Sequence, residues 1–182
     1  ATGVTAATLA SGCATTGTVE EVASPAPEFR LEEYFLGRTI AYGHFEDRFG
    51  KLRRHFRVEM TGTMQDGVLI LDERFVYDDG QRQTRIWHVT PLADGRYEGT
   101  AADVDGIATG KAVGNTFNWR YKVDLSVNGA IWKVGFDDWM YLLADDVVMN
   151  RAYVTRWGIR IGEATITFVK PDAGEPTPEL VP

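Results

Sequence analysis

The chain has 182 residues, a formal net charge of −7, 44% hydrophobic and 12% aromatic residues. That length suits one domain able to bury a full core, and the composition excludes a disordered chain. The acidic balance argues against a nucleic-acid partner, because neutralising phosphates with Lys and Arg supplies most of such affinity.

In chain order, the first feature is ATGVTAATLASGCATTGTVEE, which holds the single cysteine, Cys13. One cysteine allows no intrachain disulfide. Small, weakly apolar residues run up to Leu9-Ala10-Ser11-Gly12-Cys13, and small polar residues follow. The stretch resembles the end of a bacterial lipoprotein signal peptide, whose lipobox sets small residues before a cysteine that becomes acylated. The bland alternative is a disordered tail with a chance cysteine. On the lipobox reading, residues 1–12 are a signal-peptide remnant and 13–28 a lipidated tether. Ala14, not Asp, follows Cys13, which favours the periplasmic face of the outer membrane in the bacterial envelope. Acyl chains anchor at about 0.8 kcal/mol per buried methylene. No other segment approaches the ~20 apolar residues of a membrane-spanning helix.

Phe29–Leu36 reads as one or two helical turns stopped by Gly37. From Arg38 the apolar period is two. Strand-like runs fall near 39–48, 53–63, 67–77, 81–90, 96–104, 107–114, 117–127, 130–141, 147–156 and 159–169. Between them stand Asp66-Gly67, Asp79-Gly80, Asp94-Gly95, Asp105-Gly106 and Asn128-Gly129, pairs that tolerate the positive φ of tight hairpins. Successive hairpins without long helices make an antiparallel meander, and closure removes its edges. The expectation is an all-β fold over 29–170: a β-barrel of about 8–10 strands with a short N-terminal helix. Residues 171–182 read as a disordered tail. In Lys51–Arg57, Arg53, His55 and Arg57 share one strand face; a solvated face is the first reading and contact with anionic lipid the second.

Two-residue turns fix facing residues. Asn128-Gly129 sets Phe117, Trp119, Tyr121, Val123 and Leu125 opposite Met140, Asp138, Phe136, Val134 and Trp132 on one inward face. Trp157-Gly158 sets Val147, Met149, Arg151 and Tyr153 inward with Ala164, Ile166 and Phe168. Asp138 and Arg151 are then expected as buried partners, since an unpaired buried charge is costly. Asp79-Gly80 sets Arg82, Thr84, Ile86 and His88 opposite Tyr77, Phe75, Glu73 and Leu71. Tyr97, Gly99, Ala101 and Asp103 continue that wall, followed by Ala108, Gly110 and Ala112. One wall is thus polar and small and the other aromatic, which suggests a cavity.

GRTIAYGHFEDRFG, ADVDGIATGKAVGN and FDDWMYL…NRAYVTRWGIRIGEATITFVK resemble the DUF3833 family of bacterial lipoproteins, over about residues 35–170. The family is named for having no known function. The resemblance implies a lipocalin/calycin-like barrel carried by a lipoprotein signal.

The three histidines lack metal-ligand spacing and no cysteine pair exists, so no metal and no cofactor is expected. Three readings of the interior charges stay open. In the first, Glu73, Arg82, Thr84, His88, Tyr97, Asp103, Asp138 and Arg151 surround the head group of a small hydrophobic or amphipathic ligand, a fatty acid or modified lipid. Arg82 would meet its acid, and Trp119, Tyr121 and Phe136 would hold its tail. In the second, Glu73 or Asp103 beside His88 performs acid–base chemistry on a lipid-like substrate, as an isomerase, cyclase or hydratase. In the third, the barrel is dry and packed, a structural envelope protein in which Asp138–Arg151 is a staple.

Overall fold

The computed structural model describes residues 17–127, 130–172, 174 and 176. Cys13, the Asn128-Gly129 turn and most of the 171–182 tail therefore lie outside the described residues. Two short helices, α1 (Val19–Val22) and α2 (Leu31–Tyr34), precede ten strands. These are β1 (Gly37–Asp47), β2 (Leu52–Gln65), β3 (Val68–Tyr77), β4 (Arg82–Pro91), β5 (Arg96–Thr100), β6 (Ala108–Val113), β7 (Thr116–Val127), β8 (Ala130–Ala144), β9 (Val147–Arg156) and β10 (Ile159–Val169). Each strand pairs antiparallel with its sequence neighbours, and β1 pairs with β10, so the sheet closes into a barrel. The all-β meander expected from the period of two is what forms. Gly37 leaves α2 with φ +76°, a conformation glycine adopts without strain, and so starts β1 abruptly.

The register agrees with expectation for some hairpins and departs for others. β7 and β8 pair as the sequence implies, with Trp119 opposite Asp138 and Tyr121 opposite Phe136. The β3–β4 connection has three residues, Asp78-Asp79-Gly80, instead of two. Tyr77 N–H donates to the Gln81 carbonyl, Gly80 N–H donates back to Tyr77 and Gly80 takes φ +79°. A type I turn closed by a left-handed glycine adds one residue, and one residue reverses every side chain on the next strand. Phe75 therefore faces Gln83, Glu73 faces Arg85 and Leu71 faces Trp87. This corrects the expectation for Arg82, Thr84 and His88, which are exposed on the outer face of β4. The next connection makes the same one-residue change. Leu92 N–H donates to Arg96 across Ala93-Asp94-Gly95, and Pro91 pairs with Tyr97. The two shifts cancel, so Tyr97 points inward as expected.

A third departure lies in the last hairpin. The Trp157-Gly158 turn is tight, pairing Arg156 with Ile159, but a β-bulge between Arg160 and Gly162 adds a residue to β10. Ala164 then faces Ala152 and Ile166 faces Asn150. The inward face of β9 is Val148, Asn150, Ala152 and Val154, and Met149, Arg151 and Tyr153 lie on the opposite face. Arg151 is the second correction. It sits outside, 2.9 Å from Glu163, and is no partner of Asp138.

The dense core fills one end of the barrel. Phe29, Leu31, Tyr34 and Phe35 enter that end from the α2 segment and are nearly inaccessible. Phe35 packs edge-on against Phe168 at 5.5 Å, and Phe29 against Phe117 at 6.3 Å. Such pairs contribute about 0.5–1.5 kcal/mol beyond area burial. Polar atoms here have partners. The Tyr34 hydroxyl lies 3.1 Å from the carbonyls of both Asp146 and Phe168. Lys170 Nζ donates to the carbonyls of Leu36 and Arg38 and to Thr39 Oγ1. Gly62 lies so close under the Phe35 carbonyl that a side chain there would collide with it. Part of the segment expected as a free tether is docked: Val19 is buried, Glu20 accepts from Lys111, and Ser24 N–H donates to Asn115 Oδ1 at 2.8 Å.

Candidate functional site

Above the plug the barrel encloses a cavity of about 780 Å³. Leu31 and Phe35 form its floor, and Phe45, Leu125, Trp132 and Ile161 line it near the ends of their strands, at the mouth. Its middle carries most of the sequence-nominated residues. Glu73, Asp103, Trp119, Tyr121, Phe136 and Asp138 line it, and Arg82 reaches its rim from outside. Thr84, His88 and Arg151 do not line it. Tyr97 faces inward but gives its hydroxyl to Glu32 Oε2 at 2.8 Å, tying β5 to α2 below the cavity.

The aromatic wall forms as expected from β7 and β8. Tyr121 and Phe136 are cross-strand neighbours whose rings stack at 5.1 Å and 2°. Trp87, on the corrected face of β4, meets Tyr121 edge-on at 5.2 Å and Trp119 at 5.7 Å. The small wall does not itself provide the empty volume. Gly99 and Gly110 lie against the Trp119 ring, and a Cβ at either would strike it. The glycines are seats for a large ring, and the cavity lies beyond it.

The polar cluster sits among these rings. Arg85 takes the place expected for Arg82. It donates from Nε and Nη2 to Asp103 at 2.7–3.1 Å, a forked pair with directional strength. Glu73 is Arg85's cross-strand neighbour. Burial pushes the Glu73 carboxyl up to about 7, with Arg85 opposing and Asp103 reinforcing the shift. Part of Glu73's surface is open, but it faces the cavity lumen. Asp138, 4% exposed, is likewise pushed up to about 7 by burial, with the Tyr121 hydroxyl and Arg85 opposing. Burial, then Asp138, hold the Tyr121 phenol well above its ordinary range. Two carboxyls thus titrate near neutrality inside the barrel.

Sequence reading missed Arg85, Gln83, Trp87, Asn150 and Arg54. On β4 a signal existed, since Trp87 and Val89 share a face with Gln83 and Arg85. On β9 the alternatives were nearly balanced, and only the bulge decides. Arg54 faces the lumen opposite Phe45, stacks on Tyr77 at 3.5 Å and donates from Nη2 to Asp79 and Gln81. The acid–base reading that paired Glu73 or Asp103 with His88 loses its base, because His88 is on the other side of the sheet.

A family model described as a protein of unknown function, DUF3833, matches residues 7–170. The chain belongs to the DUF3833 family. No curated protein matches its sequence. Among solved structures, this DUF3833 chain is similar to an S-type phycobiliprotein lyase from Guillardia theta: TM-score 0.60, 7% identity, 79% of this chain and 92% of that one covered. It is also similar to a protein of unknown function from the DUF3598 family of Nostoc punctiforme: TM-score 0.58, 13% identity, 80% of this chain covered. The chain spans about half, 50%, of that second protein. At these identities the likeness establishes the barrel fold and nothing about chemistry.

Proposed function

We propose that this DUF3833 barrel binds one small amphipathic molecule of lipid size in its lumen. The observation that carries the proposal is the cavity of about 780 Å³, apolar and aromatic at its walls and polar at its centre. Ligand sites of about 300–1,000 Å³ with a few convergent polar groups have this make-up. A dry, packed barrel would have left no such volume. The family's lipoprotein resemblance and the Leu9–Cys13 stretch support a protein held by acylated Cys13 at the periplasmic face of the outer membrane, with a fatty acid or modified lipid as ligand. The likeness to a lyase named for phycobiliproteins supports small-molecule binding by this barrel shape only by analogy of fold.

The test is titration of the purified protein with an environment-sensitive anilinonaphthalene dye and competition by long-chain lipids. Saturable binding is expected, weakened about tenfold or more by Tyr121→Ala or Phe136→Ala. Absence of binding with every lipid class contradicts the proposal. The anchor is tested separately: Cys13→Ser in the full precursor should move the protein from the membrane to the soluble fraction.

A further inference from the structure

We infer that the molecule held in this cavity presents an N–H or O–H donor to β8 and β9, and that its buried end is not a carboxylate. This rests on the ligand-binding reading above and narrows it.

The first observation is a pair of buried acceptor oxygens, one on each of two side chains, without donors. Asp138 is 4% exposed and Asn150 is 2% exposed, and Oδ1 of each is buried with no hydrogen-bond partner among the described residues. Both residues line the cavity. Their strands place them together, because Asp138 faces Ala152 and Met140 faces Asn150. They are diagonal neighbours on one face, a spacing of roughly 7–8 Å that one small polar group can bridge. Buried acceptors are nearly always satisfied, so two on one wall of a cavity are exceptional. Their surroundings hold Asp138 in place. Asn118 Nδ2 donates to the Asp138 carbonyl at 2.9 Å and to Asp137 Oδ1 at 2.7 Å, which pins β8 from outside.

The second observation is the charge inside. Glu73, Asp103 and Asp138 are three carboxyls around Arg85, whose Nε and Nη2 are already given to Asp103. A ligand carboxylate here would be a fourth acid beside a guanidinium whose Nε and Nη2 are already engaged by Asp103. Two further cations stand at the mouth: Arg82 reaches the rim from outside, and Arg54 has Nη2 held by Asp79 and Gln81 and its Nε buried and unpaired. An acid group on the ligand is therefore confined to the mouth, and the donor goes deep.

A consequence in pH follows. The groups facing Asp138 are Tyr121 from β7, Arg85 from β4 and Glu73 from β3, with Asp137 adjacent on its own strand. A ligand donor favours ionised Asp138, the stronger acceptor, so affinity rises as pH passes upward through about 7.

The experiment compares matched dodecyl compounds displacing the dye from the intact protein: dodecanol, dodecanamide, dodecylamine, laurate and methyl laurate. The three donors are expected to bind about tenfold or more tightly than the methyl ester and laurate, the effect of one good hydrogen bond. Asn150→Leu should shrink that gap. Laurate equal to or tighter than dodecanol overturns the inference and leaves the binding proposal standing. Equal affinity for dodecanol and methyl laurate means water satisfies both oxygens and also overturns it. Failure of dye and every compound to bind overturns both. The series on the unmodified protein decides even where Asn150→Leu does not fold.

Discussion

The two halves of the barrel interior use similar residues to opposite ends. At the plugged end, aromatic rings meet rings, and Tyr34, Tyr97 and Lys170 all have partners for their polar atoms. In the cavity half, the rings of Trp87, Tyr121 and Phe136 surround three carboxyls, and Asp138 and Asn150 each present an unpaired oxygen. A satisfied, close-packed end stabilises, whereas an incompletely satisfied, roomy half is costly to keep. Stability is thus concentrated at one end of this fold and free volume at the other.

The sharpest way to break the contrast is Phe29→Ala. Phe29 is 1% exposed and touches three rings, so its loss should cost about 3–5 kcal/mol in denaturant unfolding. Its effect on ligand affinity should be small at temperatures where the variant stays folded. In the cavity half, Arg85→Ala strands Asp103 beside Glu73. Removing one member of a buried pair costs about 3–5 kcal/mol. With the Asp103 side chain 27% exposed, about 2 kcal/mol is expected here by the same measurement.

Asp138→Asn gives a pH-dependent change of opposite sign. Glu73 and Asp138 have ordinary values of 4.5 and 3.8 and stand at about 7 in the folded barrel. Between those limits the folded state holds protons that the unfolded state has released. Their contribution is therefore most favourable below about 4, falls as pH rises toward about 7 and levels off above it. Asp138→Asn removes one share of that loss, so thermal unfolding at pH ~8 should show the variant gaining up to a few kcal/mol on the parent, at about 1.4 kcal/mol per pH unit, and little at pH ~4. The smallest effect belongs to Arg151→Ala. Arg151 is half exposed on the outer face and Glu163 keeps Arg160 as a partner, so stability should change by less than about 1 kcal/mol and dye binding not at all.

Much of this was legible in the sequence. The alternation from Arg38 onward marked all ten strands, and closure followed from the edges they would otherwise expose. β7 and β8, joined by the expected register, put Trp119, Tyr121, Phe136 and Asp138 inside. What the sequence concealed was parity. Asp79-Gly80 reads as a two-residue turn, but Asp78 joins it and the whole of β4 reverses. The bulge near Ile161 does the same to β9, where Val148 and Val154 inward or Val147 and Tyr153 inward are equally reasonable by composition. A single extra residue, in a loop for β4 and in a bulge for β9, thus exchanged Arg82 for Arg85 and Arg151 for Asn150. Asp138's environment then changed from an ion pair with Arg151 to a buried carboxyl facing the Tyr121 hydroxyl and Arg85.

The most direct measurement is native mass spectrometry of the protein purified gently from its native cells, with solvent extraction of whatever it carries. The account predicts one bound molecule per chain, lost when Tyr121→Ala and Phe136→Ala are combined and retained in Arg151→Ala. A bare mass in every preparation, together with no uptake of added long-chain compounds, would contradict it.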